Sequence, residues 1–225
     1  LLHRHFSKNN LLIYAGGSIF HGIEWREMQF AKENYHKYNL KIGAIGVSVG
    51  PFSSVKNERD IVEFLKRMSF VSVRDQSSYD LVQSYNIDTP CINAFDLAGL
   101  LPRVQGNNNR NRKSSTRKII GLALCSFNGK SGTTHHENHS RLQLVASVIN
   151  KLSKTWNNEL TVKLFVFNGH KEYGDLDATN KFISLLEPSI KFELFDYNPN
   201  PLTMWREIGA CNAVISCRLH GAIYS

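Results

Sequence analysis

The chain has 225 residues, 42% hydrophobic and 20% charged. That length suits one large domain or two small ones, and the composition excludes a disordered or fibrous protein. The formal charge of +8 is concentrated, since Arg103 to Lys118 holds six basic residues, no acidic one and no aromatic, whereas a nucleic-acid platform interleaves its cations with stacking aromatics. No apolar run approaches the ~20 residues of a membrane span, and Leu1-Leu2-His3-Arg4-His5 shows no signal-peptide pattern.

Leu11-Leu12-Ile13-Tyr14-Ala15 reads as a buried parallel strand closed by a tight turn at Gly16-Gly17. Residues 23–38 read as a helix. Residues 41–49 are a second strand ending at Gly50-Pro51, and residues 54–68 a second helix with Ile61, Val62, Leu65 and Met68 on one face. Residues 70–73 form a third strand, followed by Arg74-Asp75 and a short helix over 77–85 with Ser77 as its N-cap. The stretch 103–117 is poor in apolar residues and rich in turn formers. It reads as a basic flexible linker between an N-terminal domain, 1–102, and a C-terminal domain, 118–225.

The same alternation recurs beyond the linker. A strand over 118–125 leads into a polar loop through His135-His136-Glu137-Asn138-His139, then a helix over 141–154. Strands at 161–167, 192–195 and 213–216 alternate with helices at 177–186 and 201–211, and the last strand runs into Cys217-Arg218-Leu219-His220-Gly221. The lack of an initiator Met, and an apolar pattern still running at Ala222-Ile223-Tyr224-Ser225, suggest a piece of a longer chain, truncated at both ends.

Strands alternating with helices imply parallel sheets with right-handed crossovers. The expected fold is α/β, with two Rossmann-like doubly wound domains facing a cleft. Ligands of such sheets bind beyond the carboxyl ends of the strands, which singles out Gly16, Gly17, Ser48, Gly50, Arg74, Asn168, Arg218 and His220. Glycines admit the close approach of an anionic group, but neither GxGxxG nor GxxxxGK is present, so the common nucleotide fingerprints are missing.

Arg218 and His220 form the most informative pair. A guanidinium grips phosphate or carboxylate bidentately, and an imidazole moves protons near neutral pH. The bland alternative is an arginine paired with a carboxylate and a histidine that caps or packs. Arg74 carries the same two readings, with Asp75 either capping the next helix or holding Arg74. Asp96 either faces the cleft or caps a turn, and Asp175 and Asp177 read as acids at a helix N-terminus. His135 and His139 have i, i+4 spacing that suits a metal only on a helix. Their Ser, Gly, Thr and Asn neighbours argue for a solvated loop, so no metal is expected. Cys91, Cys125, Cys211 and Cys217 lack CxxC spacing and read as buried reduced thiols of a cytoplasmic protein.

Taken together, Ala15-Gly16-Gly17-Ser18-Ile19-Phe20, Gly46-Val47-Ser48-Val49-Gly50-Pro51, Val71-Ser72-Val73-Arg74-Asp75 and Val214-Ile215-Ser216-Cys217-Arg218-Leu219-His220-Gly221-Ala222 resemble the polysaccharide pyruvyl transferase family, in its order and across almost the whole chain. The resemblance implies a GT-B-like two-domain fold, with the N-terminal domain on the acceptor side and the C-terminal domain on the donor side. It implies phosphoenolpyruvate as donor, a sugar of a surface polysaccharide or its lipid-linked precursor as acceptor, a pyruvate ketal as product, and no cofactor. By it, Arg218, Leu219 and His220 lie at the donor site with Arg74 nearby. Gly16, Gly17, Ser48, Gly50 and Asn168 line the substrate site, and Asp96 serves as base or sugar-hydroxyl acceptor. The basic linker also suits contact with anionic lipid headgroups near a membrane-bound acceptor at the inner face of the membrane, the alternative being a solvated loop. Two alternatives stay open: a nucleotide-sugar glycosyltransferase of the same architecture, and a non-catalytic domain that binds glycan or anion.

Overall fold

A computed structural model describes residues 11–22, 26–37, 39–105, 118–126, 134–157 and 159–225. The chain divides into two compact units, Leu1–Leu100 and Leu101–Ser225. Each holds a four-stranded, all-parallel sheet with intervening helices. This is the α/β class that the alternation predicts.

In the first unit, strands β1 (Leu11–Phe20), β2 (Lys41–Val49), β3 (Phe70–Val73) and β4 (Cys91–Asn93) lie side by side in chain order. Helices α1 (Arg26–Asn34), α2 (Val55–Leu65) and α3 (Gln76–Ser84) connect them. One buried cluster gathers Met28 and Ala31 of α1, Ile61, Phe64 and Leu65 of α2 and Val82 of α3 against Ile42, Ala44, Val47, Val71 and Val73. The i, i+3, i+4 spacing of Ile61, Phe64 and Leu65 turns one face of α2 to the sheet, and the Ser54 side chain accepts the Asn57 N–H to start that helix.

Two features depart from the sequence reading. Gly16 and Gly17 do not end β1 but lie inside it, with φ of 70° and 86°. This left-handed pair, which only glycine adopts freely, precedes a register shift between Gly17 and Phe20. The strand therefore continues through Ser18. The N-cap of α3 is Asp75, not Ser77: its carboxylate accepts the Ser78 N–H. After β4 the chain makes a 3₁₀ turn, Leu97–Leu100, and enters helix α4 (Leu101–Gln105). Most of the basic stretch, residues 106–117, lies outside the described residues.

The second unit has strands β5 (Lys118–Ala123), β6 (Leu160–Phe165), β7 (Lys191–Phe195) and β8 (Ala213–Ser216). Its helices are α5 (His135–Thr155), α6 (Leu176–Ile183), α7 (Pro201–Gly209) and α8 (Leu219–Ile223). The sheet order is β7-β6-β5-β8. The chain steps outward from β5 to β7 and then returns past β5 to lay β8 on its other side. The β5/β8 boundary is therefore a topological switch point, where the crevice beyond the strand ends takes a ligand. The main core packs Ile120, Leu122, Leu124, Val162 and Leu164 against Leu142, Ala146 and Ile149 of α5 and Phe182 of α6.

Helix α5 starts earlier than expected. Residues 135–139, read from composition as loop, form its first turn because Thr134 and Glu137 make a reciprocal capping box. Among the described residues no group of three His, Cys, Asp or Glu is placed to hold a metal ion, and no helix is long and apolar enough to cross a membrane.

Candidate functional site

The two arginines singled out by sequence each stand just beyond a strand, but their surroundings differ. In the first unit, the Arg74 N–H donates to Val47 O at 2.9 Å, which fixes its backbone to β2. Its side chain then lies across the strand ends. Nε donates to Ser48 Oγ, Nη1 to Asp96 Oδ2 and Nη2 to Ser18 Oγ, all at 2.6 Å. Ser48 passes the network on by donating to Asp75 Oδ2 at 2.8 Å. Arg74 and Asp96 side chains are only 10% and 12% exposed.

This geometry sorts the candidates. All three Arg74 nitrogens are engaged by protein oxygens, so the guanidinium is spent on holding Ser18, Ser48 and Asp96 in register. Asp96 is the direct ion partner of Arg74 and also accepts the Ala98 N–H at 2.9 Å. Asp75 holds Arg74 only through Ser48. Burial pushes the Asp75 carboxyl up, but hydrogen bonds from Ser78 and Ser48 and the Arg74 charge outweigh it and hold the group below the usual carboxylate range. Ser18, quoted in the motif but given no role by sequence, completes the network. Gly16 and Gly17 shape the strand that carries it. Gly50, with φ of 70°, follows Ser48 and Val49 and precedes Pro51.

In the second unit, Arg218 stands at the switch point, two residues beyond β8. Its partner is Asp175, whose side chain is 0% exposed. Arg218 Nε donates to Asp175 Oδ1 at 3.0 Å and Oδ2 at 3.2 Å, and Nη2 donates to Oδ1. Asp175 Oδ2 also accepts the N–H groups of Phe167 and Asn168, at 3.0 and 2.9 Å, just past β6. Because β5 lies between β6 and β8 in the sheet, this ion pair crosses the carboxyl end of β5. Sequence placed Asp175 as a helix N-terminal acid. It does occupy the N-cap position of α6, but it makes no side-chain capping bond there; its carboxylate turns to Arg218 instead. No local pattern signals a partner 43 residues away.

Arg218 differs from Arg74 in what remains available. Its side chain is 32% exposed, and among the described residues its Nη1 meets no protein acceptor. A guanidinium offers five N–H donors, so Arg218 is both fixed by the fold and able to receive an anion. Leu219 and His220 follow on the exposed first turn of α8. The His220 ring stands 6.1 Å from that of Tyr224, which is 9% exposed. Asn168 instead binds its own loop, accepting the His170 N–H through Oδ1 and donating through Nδ2 to Tyr173 O.

The family model for polysaccharide pyruvyl transferase matches residues 2–225. The chain belongs to the polysaccharide pyruvyl transferase family. A solved structure of a glycosylation-associated protein complex (Gap123) from Streptococcus agalactiae shares the fold, with a TM-score of 0.51 at 15% sequence identity. The match covers 99% of this chain and 41% of that one, so the chain spans less than half the length of that relative. A comparison with curated protein sequences returns no match. Within this pyruvyl transferase family chain, the exposed Arg218-Leu219-His220 segment at the switch point is the strongest candidate for contact with a small anion.

Proposed function

We propose that the chain transfers the pyruvyl group of phosphoenolpyruvate to a sugar of a surface polysaccharide or its lipid-linked precursor, forming a pyruvate ketal. The observation that carries this reading is Arg218: a guanidinium at the sheet's switch point, anchored by the fully buried Asp175 yet still exposed on one side. It supports the family assignment with a built anion clamp.

In the reaction, Arg218 binds the donor's phosphate or carboxylate through its outward N–H groups and stabilises negative charge on the leaving phosphate. His220 acts as the proton-transfer group, because imidazole exchanges protons near neutral pH. It delivers a proton to the methylene carbon of the enol phosphate, positive character develops at the carbon bearing oxygen, and a sugar hydroxyl adds there as His220 takes up its proton. A second hydroxyl of the same sugar displaces the phosphate and closes the ketal, and its proton leaves with the phosphate. The exposed Ser18 hydroxyl, held by Arg74, suits recognition of a sugar oxygen, whereas the Ser48 hydroxyl is buried and committed to Arg74 and Asp75. The cytoplasm supplies phosphoenolpyruvate, and a lipid-linked acceptor would bring the protein to the inner membrane face.

The test is incubation of the full protein with phosphoenolpyruvate and candidate saccharides, reading phosphate release and product mass together. The expected product carries the mass of one ketal-linked pyruvate; a hexose increment would instead identify a glycosyltransferase, and no product with retained binding a non-catalytic domain. His220→Ala is expected to lower turnover at least ~100-fold, the lower end for general acid–base catalysis. Near-wild-type phosphate release from that variant would refute the role of His220.

A further inference from the structure

We propose that Cys125 and Cys217 form a hydroperoxide-reactive dithiol at the switch point, with Cys217 as the attacking thiol and Cys125 as the resolving one. The inference rests on where the strands end and does not depend on pyruvyl transfer.

Strands β5 and β8 are hydrogen-bonded neighbours in register, with Ala123 opposite Ser216. The pairing extends one step further, because the Cys217 N–H donates to Ala123 O at 2.8 Å. Continuing that register sets Leu124 opposite Cys217 and Cys125 one step further along; ~4.8 Å between strands and ~3.3 Å along them give a Cα separation of about 6 Å, inside the roughly 4.4–6.8 Å that a disulfide spans. The Cys125 thiol points across this gap and donates to Cys217 O, with its Sγ 3.8 Å from that oxygen. The two residues are unequal. Cys125 is 8% exposed and Cys217 is exposed to solvent.

The surroundings assign the roles. The neighbouring Cys125 holds the Cys217 thiol well below the ordinary range despite partial burial, with Arg141 of α5 and Arg218 adding positive charge. Cys125 is pushed the opposite way by Cys217, by burial and by Asp175, with Arg218 opposing. The exposed sulfur is therefore the one that carries negative charge more readily. This is the arrangement of a reactive cysteine beside a resolving one. The other two thiols lack it. Burial pushes Cys211 up to about 11 and raises Cys91.

The step balances. The Cys217 thiolate attacks one oxygen of a hydroperoxide, the O–O bond breaks, a sulfenic acid forms and the other oxygen leaves as an alcohol or water after taking a proton. Cys125 then attacks the sulfenic sulfur, the S–S bond forms, and hydroxide leaves with the Cys125 proton as water. The two thiols lose two electrons and the peroxide gains them.

The test treats the intact protein with sub-stoichiometric hydrogen peroxide or cumene hydroperoxide, blocks remaining thiols by alkylation, and maps peptides by mass spectrometry with and without reductant. A Cys125–Cys217 linked peptide that disappears on reduction is expected, with Cys91 and Cys211 still alkylated. In untreated protein, Cys217 should alkylate at least ~10-fold faster than Cys91 at neutral pH, with half-maximal rate below the ~8.5 of an ordinary thiol. C125S is expected to abolish the linked peptide and leave a Cys217 sulfenic acid that a 1,3-dione traps. The proposal is overturned if wild-type Cys217 proceeds to sulfinic acid without ever linking to Cys125, or if it reacts no faster than Cys91. Those two readouts need no variant to fold.

Discussion

Removing Asp175 should damage the second unit more than removing any other single charged group there, and the structure sets the size of the effect. In Asp175→Ala, the N–H groups of Phe167 and Asn168 lose their acceptor and Arg218 loses its carboxylate partner. Each stranded N–H costs about 1–3 kcal/mol, and breaking one side of a buried pair costs about 3–5 kcal/mol in total. The guanidinium is partly exposed and can rehydrate, which favours the lower half of that range. At roughly 3 °C per kcal/mol for a unit of this size, melting should fall by about 10 °C. Asp175→Asn keeps one oxygen for the backbone donors and should lose about half as much. Arg218→Ala leaves a fully buried carboxylate with two N–H partners. Urea denaturation of both single variants and the double variant at pH 7 measures all of this. The double variant should be far less damaged than the sum of the singles. Additive effects, or an Asp175→Ala loss under about 1 kcal/mol, would refute the pairing argument.

Gly46 has φ of 65° and a Cβ there would meet Leu97 Cγ at 2.8 Å, so Gly46→Ala combines a left-handed backbone cost of about 1–2 kcal/mol with displacement of Leu97. A loss of at least about 2 kcal/mol by urea titration is expected. Asp75→Ala removes the α3 cap and the acceptor of Ser48, costing about 1–2 kcal/mol at neutral pH. Because the folded carboxyl is held down, that contribution is complete above the unfolded pKa of ~3.9 and is lost as pH falls through the lower folded value, so the variant and wild type should converge in melts at strongly acidic pH. Thr134→Ala opens the capping box of α5 and should lower stability by about 1 kcal/mol at pH 7, read as a drop in melting temperature followed by circular dichroism.

What the sequence made legible follows from what periodicity can carry. β2 is a nine-residue apolar run bounded by turn formers, and α2 repeats its apolar face at helical spacing, so both were readable. β4 was not, because Cys91-Ile92-Asn93 is three residues long at a half-exposed sheet edge and shows no alternation to detect. The start of α5 was obscured by composition: Ser, Gly, Thr and Asn suggest a loop, while the decisive signal is the Thr134–Glu137 spacing. Gly16-Gly17 reads naturally as a turn, since nothing local distinguishes a turn from two left-handed residues inside a strand. Of the site, Arg74, Arg218 and His220 are visible as polar groups at strand ends, but the carboxylate partners of the two arginines come from 22 and 43 residues away, a separation only the sheet order resolves.

That sheet order also explains why two arginines in similar sequence contexts end with different capacities. In the first unit the strands run in chain order, so Arg74 is flanked by neighbours on both sides: Ser48 on β2 and Asp96 beyond β4 lie next to β3, and Ser18 on β1 lies one strand further. Acceptors reach it from both sides of β3, and each of its three nitrogens is engaged. In the second unit, among the described residues, β8 pairs with β5 alone. There Arg218 receives its carboxylate across β5, and its side chain stays 32% exposed. A guanidinium engaged at all three nitrogens and buried fixes a scaffold, whereas one held along a single edge presents the remaining donors as a preorganised fork, with less side-chain freedom to lose on binding. The reversal of strand order that creates the switch point is thus the same feature that leaves Arg218, and not Arg74, free to take a ligand.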